Sequence, residues 1–243
     1  MIYYRVNKYM DFDFSKELVY GKKHLKILEG YDKEKYDFRK FARDCFNVDK
    51  LDEVHENNPE YDVFQEFGPD VNTWYHDTFY NYYRSENGPK MQVLYDNMIT
   101  DVVLPYLGLT EAYVQKFPSF RVQLPNNLAV AKMHTDNSLG HPRGEINLMY
   151  AFTDMYDTNT VLIEKMPRSK EFARMEMVAN NTISFNGNLC MHYNELNTTG
   201  KTRMSMDYRI LPVNYYPKEE SFSHSTKTKF VDGGYYKFIK LDM

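Results

Sequence analysis

Between positions 10 and 110 the apolar residues recur every three or four positions, whereas from 118 to 212 they come in short runs cut by polar turns. These textures predict a helical first half and a strand-rich second half, changing near Leu109. In the first half, 37–46 sets Phe38, Phe41, Ala42, Cys45 and Phe46 at helical spacing, and Asn47 offers a stop. A clearer helix is predicted after Gly88. Pro89 suits its first turn, where no amide hydrogen is needed, and Met91, Leu94, Tyr95, Met98, Val102 and Val103 make one apolar face expected to cover a sheet. Leu104-Pro105 is expected to end or kink that helix, because proline lacks the amide hydrogen and clashes with the preceding turn. Asn57-Asn58-Pro59 and Gly68-Pro69-Asp70 mark loops.

The second half holds eight candidate strands, at 120–123, 128–133, 145–152, 160–164, 175–178, 182–185, 189–193 and 202–211. Short strands at this spacing predict a sandwich or barrel, and eight suit a double-sheet jelly roll. Asn186-Gly187 reads as a tight hairpin turn between the sixth and seventh, since both residue types tolerate positive φ. The chain after Pro217 is basic and polar until 229–241, where Gly233-Gly234 separates two aromatic pieces expected to fold back on the core. The expected fold is thus mainly β with covering helices: a largely helical region at 1–110, a jelly-roll core at 111–217 and a tail at 218–243.

Composition narrows the function. A formal charge of −4 spread over 243 residues offers no broad cationic field for phosphate backbones, so nucleic acid is not expected as a partner. Cys45 and Cys190 are too few for a zinc ribbon or a disulfide-stapled scaffold, and they suit a reducing compartment. Residues 1–10 lack the apolar run of a signal peptide, and no apolar cluster approaches the ~20 residues that cross a bilayer. A soluble, cytoplasmic protein is expected.

The sharpest chemical feature is His134-Thr135-Asp136 at the end of the second candidate strand. In extended chain, residues two apart leave the same face and can hold one ion. Alone, such a triplet is as readily an exposed strand-end pair. His192, on the seventh candidate strand, completes two histidines and a carboxylate, the facial triad of non-haem iron(II), which leaves positions open for cosubstrate and oxygen. Eleven residues on, Arg203 and Ser205 share a face of the eighth strand and offer a cationic fork and a hydroxyl to a distal carboxylate of the kind 2-oxoglutarate presents. Asp207 and Arg209, on the same alternating face, keep a structural ion pair open as the alternative.

From Phe120 to Pro212 the chain resembles the iron(II)/2-oxoglutarate-dependent oxygenases of the double-stranded β-helix, a cupin-like jelly roll. Within them it is similar to the branch that holds a streptomycin-biosynthesis oxygenase and the hydroxylase of the lipopolysaccharide sugar Kdo. The resemblance rests on Phe120-Arg121-Val122-Gln123-Leu124-Pro125, His134-Thr135-Asp136, His141-Pro142-Arg143-Gly144-Glu145-Ile146-Asn147 and Thr158-Asn159-Thr160. It continues through Phe185-Asn186-Gly187-Asn188, His192, Asn197-Thr198-Thr199-Gly200-Lys201-Thr202-Arg203 and Asp207-Tyr208-Arg209. It implies His134, Asp136 and His192 as iron ligands and Arg203 as the 2-oxoglutarate clamp, with oxygen as co-reactant and ascorbate as an aid that keeps iron reduced. The chain departs from the pattern at Tyr193, where a small residue is expected, and at Met149-Tyr150-Ala151-Phe152, changes that bear on substrate rather than chemistry.

Other residues carry two readings each. The Asn147 amide is placed to touch the 2-oxoglutarate carboxylate or to cap a turn. His141 and Arg143 belong to the loop after the metal motif, where lids and substrate contacts reside, or to a solvated charged loop. Arg121 and Arg209 are candidates for substrate contact or for strand structure. The aromatics Trp74, Tyr75, Phe79, Tyr80, Tyr82 and Tyr83 offer a platform for a sugar ring or, at helical spacing, a core. The resemblance implies hydroxylation of an unactivated C–H bond in a small polar metabolite such as a sugar, an aminocyclitol or a glycolipid head group. Desaturation, epimerisation and ring closure start from the same oxidant. Asp136 speaks against halogenation, which needs that ligand position vacant. The competing class is a non-catalytic jelly roll that binds a sugar or a partner through the same cleft, and the helical half is a candidate contact for an oligomer.

Overall fold

The computed structural model describes residues 22–57, 73–128, 132–219, 221–223 and 227–242. The readings made above for 1–10, for Asn58-Pro59 and for Gly68-Pro69-Asp70 lie outside the described residues. A two-residue strand, β1 (Lys26–Ile27), precedes helix α1 (Arg39–Phe46). As its spacing predicts, α1 buries Ala42 and Phe46 and stops at Asn47, whose φ of 52° is left-handed and whose amide returns to the Arg43 carbonyl. A 3-10 turn (Leu51–Asn57), α2 (Trp74–Arg84) and α3 (Gly88–Met98) follow, with Pro89 in the first turn of α3.

Pro105 does not end this helical run. The chain passes through a π turn at Ile99–Val103, where the Leu104 amide reaches back to the Ile99 carbonyl, and resumes as α4 (Leu104–Leu107). The wider turn shifts the hydrogen-bond ladder just ahead of the residue that has no amide hydrogen to give. Gly108, with φ of 71°, closes the run.

Nine further strands come next: β2 (Glu111–Gln115), β3 (Ser119–Gln123), β4 (Ile146–Ala151), β5 (Val161–Glu164), β6 (Phe172–Arg174), β7 (Thr182–Phe185), β8 (His192–Asn194), β9 (Arg203–Pro212) and β10 (Tyr236–Lys240). The larger sheet runs β1-β7-β4-β9-β2-β10, and β3 continues the line of β2 along β9. The smaller sheet is β6-β5-β8. His134 extends it through an isolated antiparallel bridge to His192, and 129–131, within the second candidate strand, lie outside the described residues. All paired strands are antiparallel. This is the jelly roll of the double-stranded β-helix, with two sheets facing each other and helices on one side.

Alternation along β4 and β9 decides what faces where. Ile146, Leu148 and Tyr150, with Met204, Met206, Tyr208 and Ile210, join the core shared with the helices, where Phe79 stacks on Phe120 at 4.2 Å. The other face of the same strands, Asn147, Met149 and Ala151 with Arg203, Ser205, Asp207 and Arg209, turns into the barrel. Met149, Val161, Ile163, Ile183, Phe185 and Cys190 make that interior largely apolar.

Two strand readings change. The fifth candidate strand sits earlier, at Phe172–Arg174, while Met177 makes only an isolated bridge to Met155. Asn186-Gly187 is not a hairpin turn, because β7 pairs with β4 and β1 in one sheet and β8 with β5 in the other. Neither residue adopts a positive φ. The glycine serves close approach: a Cβ there would sit 3.0 Å from the Phe185 ring and 3.2 Å from the Asn147 amide.

Candidate metal centre

The two halves of the candidate site meet where the chain crosses between sheets. The His134–His192 bridge exchanges both backbone hydrogen bonds, at 3.2 and 2.9 Å, and brings the rings to 4.4 Å between centroids. Asp136 opens a short 3-10 turn (Asp136–Leu139), and its amide donates to the Gly187 carbonyl at 2.9 Å. The metal-ligating atoms of His134, Asp136 and His192 all lie within 4.8 Å of one another.

Orientation favours a cation. His134 donates from Nδ1 to the Lys132 carbonyl at 2.7 Å, and His192 from Nδ1 to the Cys190 carbonyl at 3.1 Å. Each ring therefore turns Nε2 to the same side, and each Nε2 stands 3.6 Å from Asp136 Oδ1, too far for a hydrogen bond and apt for a shared ion. Burial lowers the His192 pKa. At His134 burial is outweighed by Asp136 and the Lys132 carbonyl, which raise it. Burial works against ionised Asp136, yet Arg209 and the histidines hold its carboxyl well below the usual range.

Deeper in the barrel, Arg203 is 2% exposed, and among the described residues its guanidinium has no ion pair and its Nε no hydrogen-bond partner. Ser205 Oγ, on the same face, is likewise orphaned. Burial, then the neighbouring Arg121, pushes the Arg203 pKa down to about 10, against the pull of Asp207. A buried cation and an unpartnered hydroxyl are costly unless something anionic joins them. The donor set therefore fits both groups that the sequence implied, a divalent cation at the triad and a carboxylate at Arg203.

The remaining candidates are held by groups of the protein itself. Asn147 caps no turn: its Nδ2 donates to Asp136 Oδ2 at 2.6 Å. Arg209 holds the same oxygen from Nε at 3.0 Å and Nη2 at 2.9 Å, besides Asp207 at 3.3 Å. Arg121, half-exposed, is the closer partner of Asp207, at 2.6 Å. His141 is buried rather than part of a solvated loop, donating from Nδ1 to Glu145 at 2.8 Å, and Arg143 lies half-buried nearby. The aromatic run in α2 is mainly core, with Tyr75 and Phe79 buried and Trp74 exposed.

Sequence reading missed Glu145, Tyr235 and Tyr236. Glu145 binds His141 on one oxygen and accepts the Tyr236 hydroxyl on the other, while the Tyr235 hydroxyl meets Arg209 at 3.1 Å. No local signal announces this, because the tyrosines arrive from β10 and its approach, far along the chain. Asp136, His141 and Glu145 form a second cluster of potential ligands, but Arg209 lies 3.8 Å from Glu145 and pairs with Asp136, so a cation already occupies the position an ion would take.

No protein-family profile matches the chain. Among curated proteins, the streptomycin biosynthesis protein StrG of Streptomyces griseus is 32% identical over 164 residues, covering 63% of this chain and 78% of its own length. Among solved structures, AviO1 from Streptomyces viridochromogenes Tue57 superposes with a TM-score of 0.52 at 12% identity, over 83% of this chain and 96% of that one. SnoK, a non-haem α-ketoglutarate-dependent carbocyclase of nogalamycin biosynthesis, does so with a TM-score of 0.52 at 10% identity, over 95% and 97%. The structural likenesses speak for the fold and the StrG identity for kinship, and together they show that this chain belongs to the iron(II)- and 2-oxoglutarate-dependent oxygenases, in the branch of the streptomycin-biosynthesis protein.

Proposed function

We propose that the chain hydroxylates an unactivated C–H bond of a small polar metabolite, sugar-like in character, while 2-oxoglutarate and oxygen become succinate and carbon dioxide. The observation that carries this reading is the pairing of a convergent His134, Asp136 and His192 with a buried Arg203 that has no ion-pair partner among the described residues, in one barrel interior. Iron(II), when bound there, supplies the oxidising chemistry. The chain supplies position and dryness. His134 and His192 offer Nε2 and Asp136 offers Oδ1. Arg203 and Ser205 bind the far carboxylate of 2-oxoglutarate, whose charge offsets the burial of the guanidinium. Met149, Ile163, Phe185 and Cys190 keep water from the interior. Kinship with a protein named for streptomycin biosynthesis supports a metabolite of the sugar or aminocyclitol kind.

The test is turnover. Incubated with iron(II), 2-oxoglutarate and ascorbate, the protein should release succinate slowly alone and faster with its substrate, giving a product one oxygen atom heavier. A product two hydrogen atoms lighter would replace hydroxylation by ring closure or desaturation. Asp136→Ala should abolish succinate release, and Arg203→Lys should raise the KM for 2-oxoglutarate because the charge survives but the fork does not. Undiminished succinate release by Asp136→Ala would contradict the proposal.

A further inference from the structure

The two oxygens of Asp136 live in different surroundings. Oδ2 accepts hydrogen bonds from Asn147 Nδ2 at 2.6 Å and from Arg209 Nε at 3.0 Å, and Arg209 Nη2 adds an ion-pair contact at 2.9 Å. Oδ1 faces His134 and His192, each at 3.6 Å, and among the described residues it has no hydrogen bond. The donors are themselves held. Asn147 and Arg209 are register partners on β4 and β9, so their side chains enter the barrel side by side. The remaining guanidinium nitrogen of Arg209 is tied to Tyr235, Asp207 and Gln115 at 3.1, 3.3 and 3.4 Å. Gly187 sits against the Asn147 amide, where a Cβ would come within 3.2 Å of it, and its carbonyl holds the Asp136 amide.

We infer that Asn147 and Arg209 are positioning residues that lock the outer oxygen of Asp136 and commit this carboxylate to a metal through Oδ1 alone. The inference rests on the metal assignment proposed above and goes beyond it. A carboxylate free to turn can chelate a cation with both oxygens, occupying a coordination position that a facial triad keeps for cosubstrate and oxygen. Here such a turn would break two charge-assisted hydrogen bonds and an ion pair in a buried site. Arg209 is thereby separated from Arg203: one orients the ligand, the other meets the cosubstrate.

The test uses cobalt(II) added to the full-length protein, with affinity and visible d–d absorption as readouts and thermal unfolding as the check on folding. Asn147→Ala and Arg209→Lys both conserve the charge of the site, so a change reports geometry. Each should weaken cobalt(II) binding by about ten- to a hundredfold and alter the band envelope, while leaving the melting transition of the metal-free protein cooperative. Affinity and spectra indistinguishable from the unsubstituted protein in both variants would overturn the inference. If Arg209→Lys does not fold, Asn147→Ala decides alone. Failure of the underlying assignment looks different: the unsubstituted protein would take up no cobalt(II), or His192→Ala would bind it equally well, and the inference would fall with it.

Discussion

At the scale of single residues, the barrel interior is a row of alternating charge. Arg121 meets Asp207, Asp207 meets Arg209 and Arg209 meets Asp136, while Arg203 has no ion pair among the described residues. Asp207 is the pivot. Burial raises its pKa, but Arg121 and Arg209 outweigh burial and the net shift is downward. A carboxylate whose folded pKa is depressed adds stability that is full above its unfolded value, near 3.9, and is lost as pH falls through the folded one. Asp207→Asn should therefore cost about 3–5 kcal/mol at neutral pH, since two buried guanidinium groups lose their shared partner. The gap to the unsubstituted protein should narrow below about pH 4. Urea unfolding across that range measures it, and a gap that stays constant into acid would count against the pairing. His134 and Asp136 were legible as two residues on one strand face, and His192 and Arg203 through the ordered motifs of the family resemblance. The partners of Asp136 were not, since contact between Asn147 and Arg209 depends on the register of β4 against β9.

At the scale of elements, what local pattern encodes was read well and what pairing encodes was not. Helix α1 with its Asn47 stop, and the strands β5, β7 and β9, follow from periodicity within a few residues. β10 escaped as a strand because its partner, β2, lies more than a hundred residues upstream, and β6 escaped because Phe172-Ala173-Arg174 carries too little apolar pattern. Asn186-Gly187 misled because a glycine wanted for close packing looks the same in sequence as one wanted for a turn. The distinction has a consequence. Gly187→Ala needs no strained φ, so overall stability should change little, but its methyl group would press on the Asn147 amide and displace it from Asp136. Binding of a divalent ion should weaken while the melting temperature of the metal-free protein stays within a few degrees. Unaltered metal affinity in that variant would show that the crossing does not position the site.

At the scale of the whole molecule, the helices cover the outer face of the larger sheet, which leaves the interior between the sheets for chemistry. β10 is hydrogen-bonded along β2 at the edge of that sheet, and from there Tyr235 and Tyr236 reach Arg209 and Glu145. Among the described residues no helix is long and apolar enough to cross a membrane. The family and fold were legible from the ordered motifs between Phe120 and Pro212, whereas the substrate was not, because its contacts depend on loop shape rather than on those motifs. The central claim is that one barrel interior holds a cation at His134, Asp136 and His192 and a dicarboxylate against Arg203. Anaerobic addition of iron(II) and 2-oxoglutarate to the purified protein tests it most directly. A charge-transfer band should appear in the visible, disappear in Asp136→Ala and need more 2-oxoglutarate to saturate in Arg203→Lys. No band from the folded protein, or an undiminished one in Asp136→Ala, would contradict it.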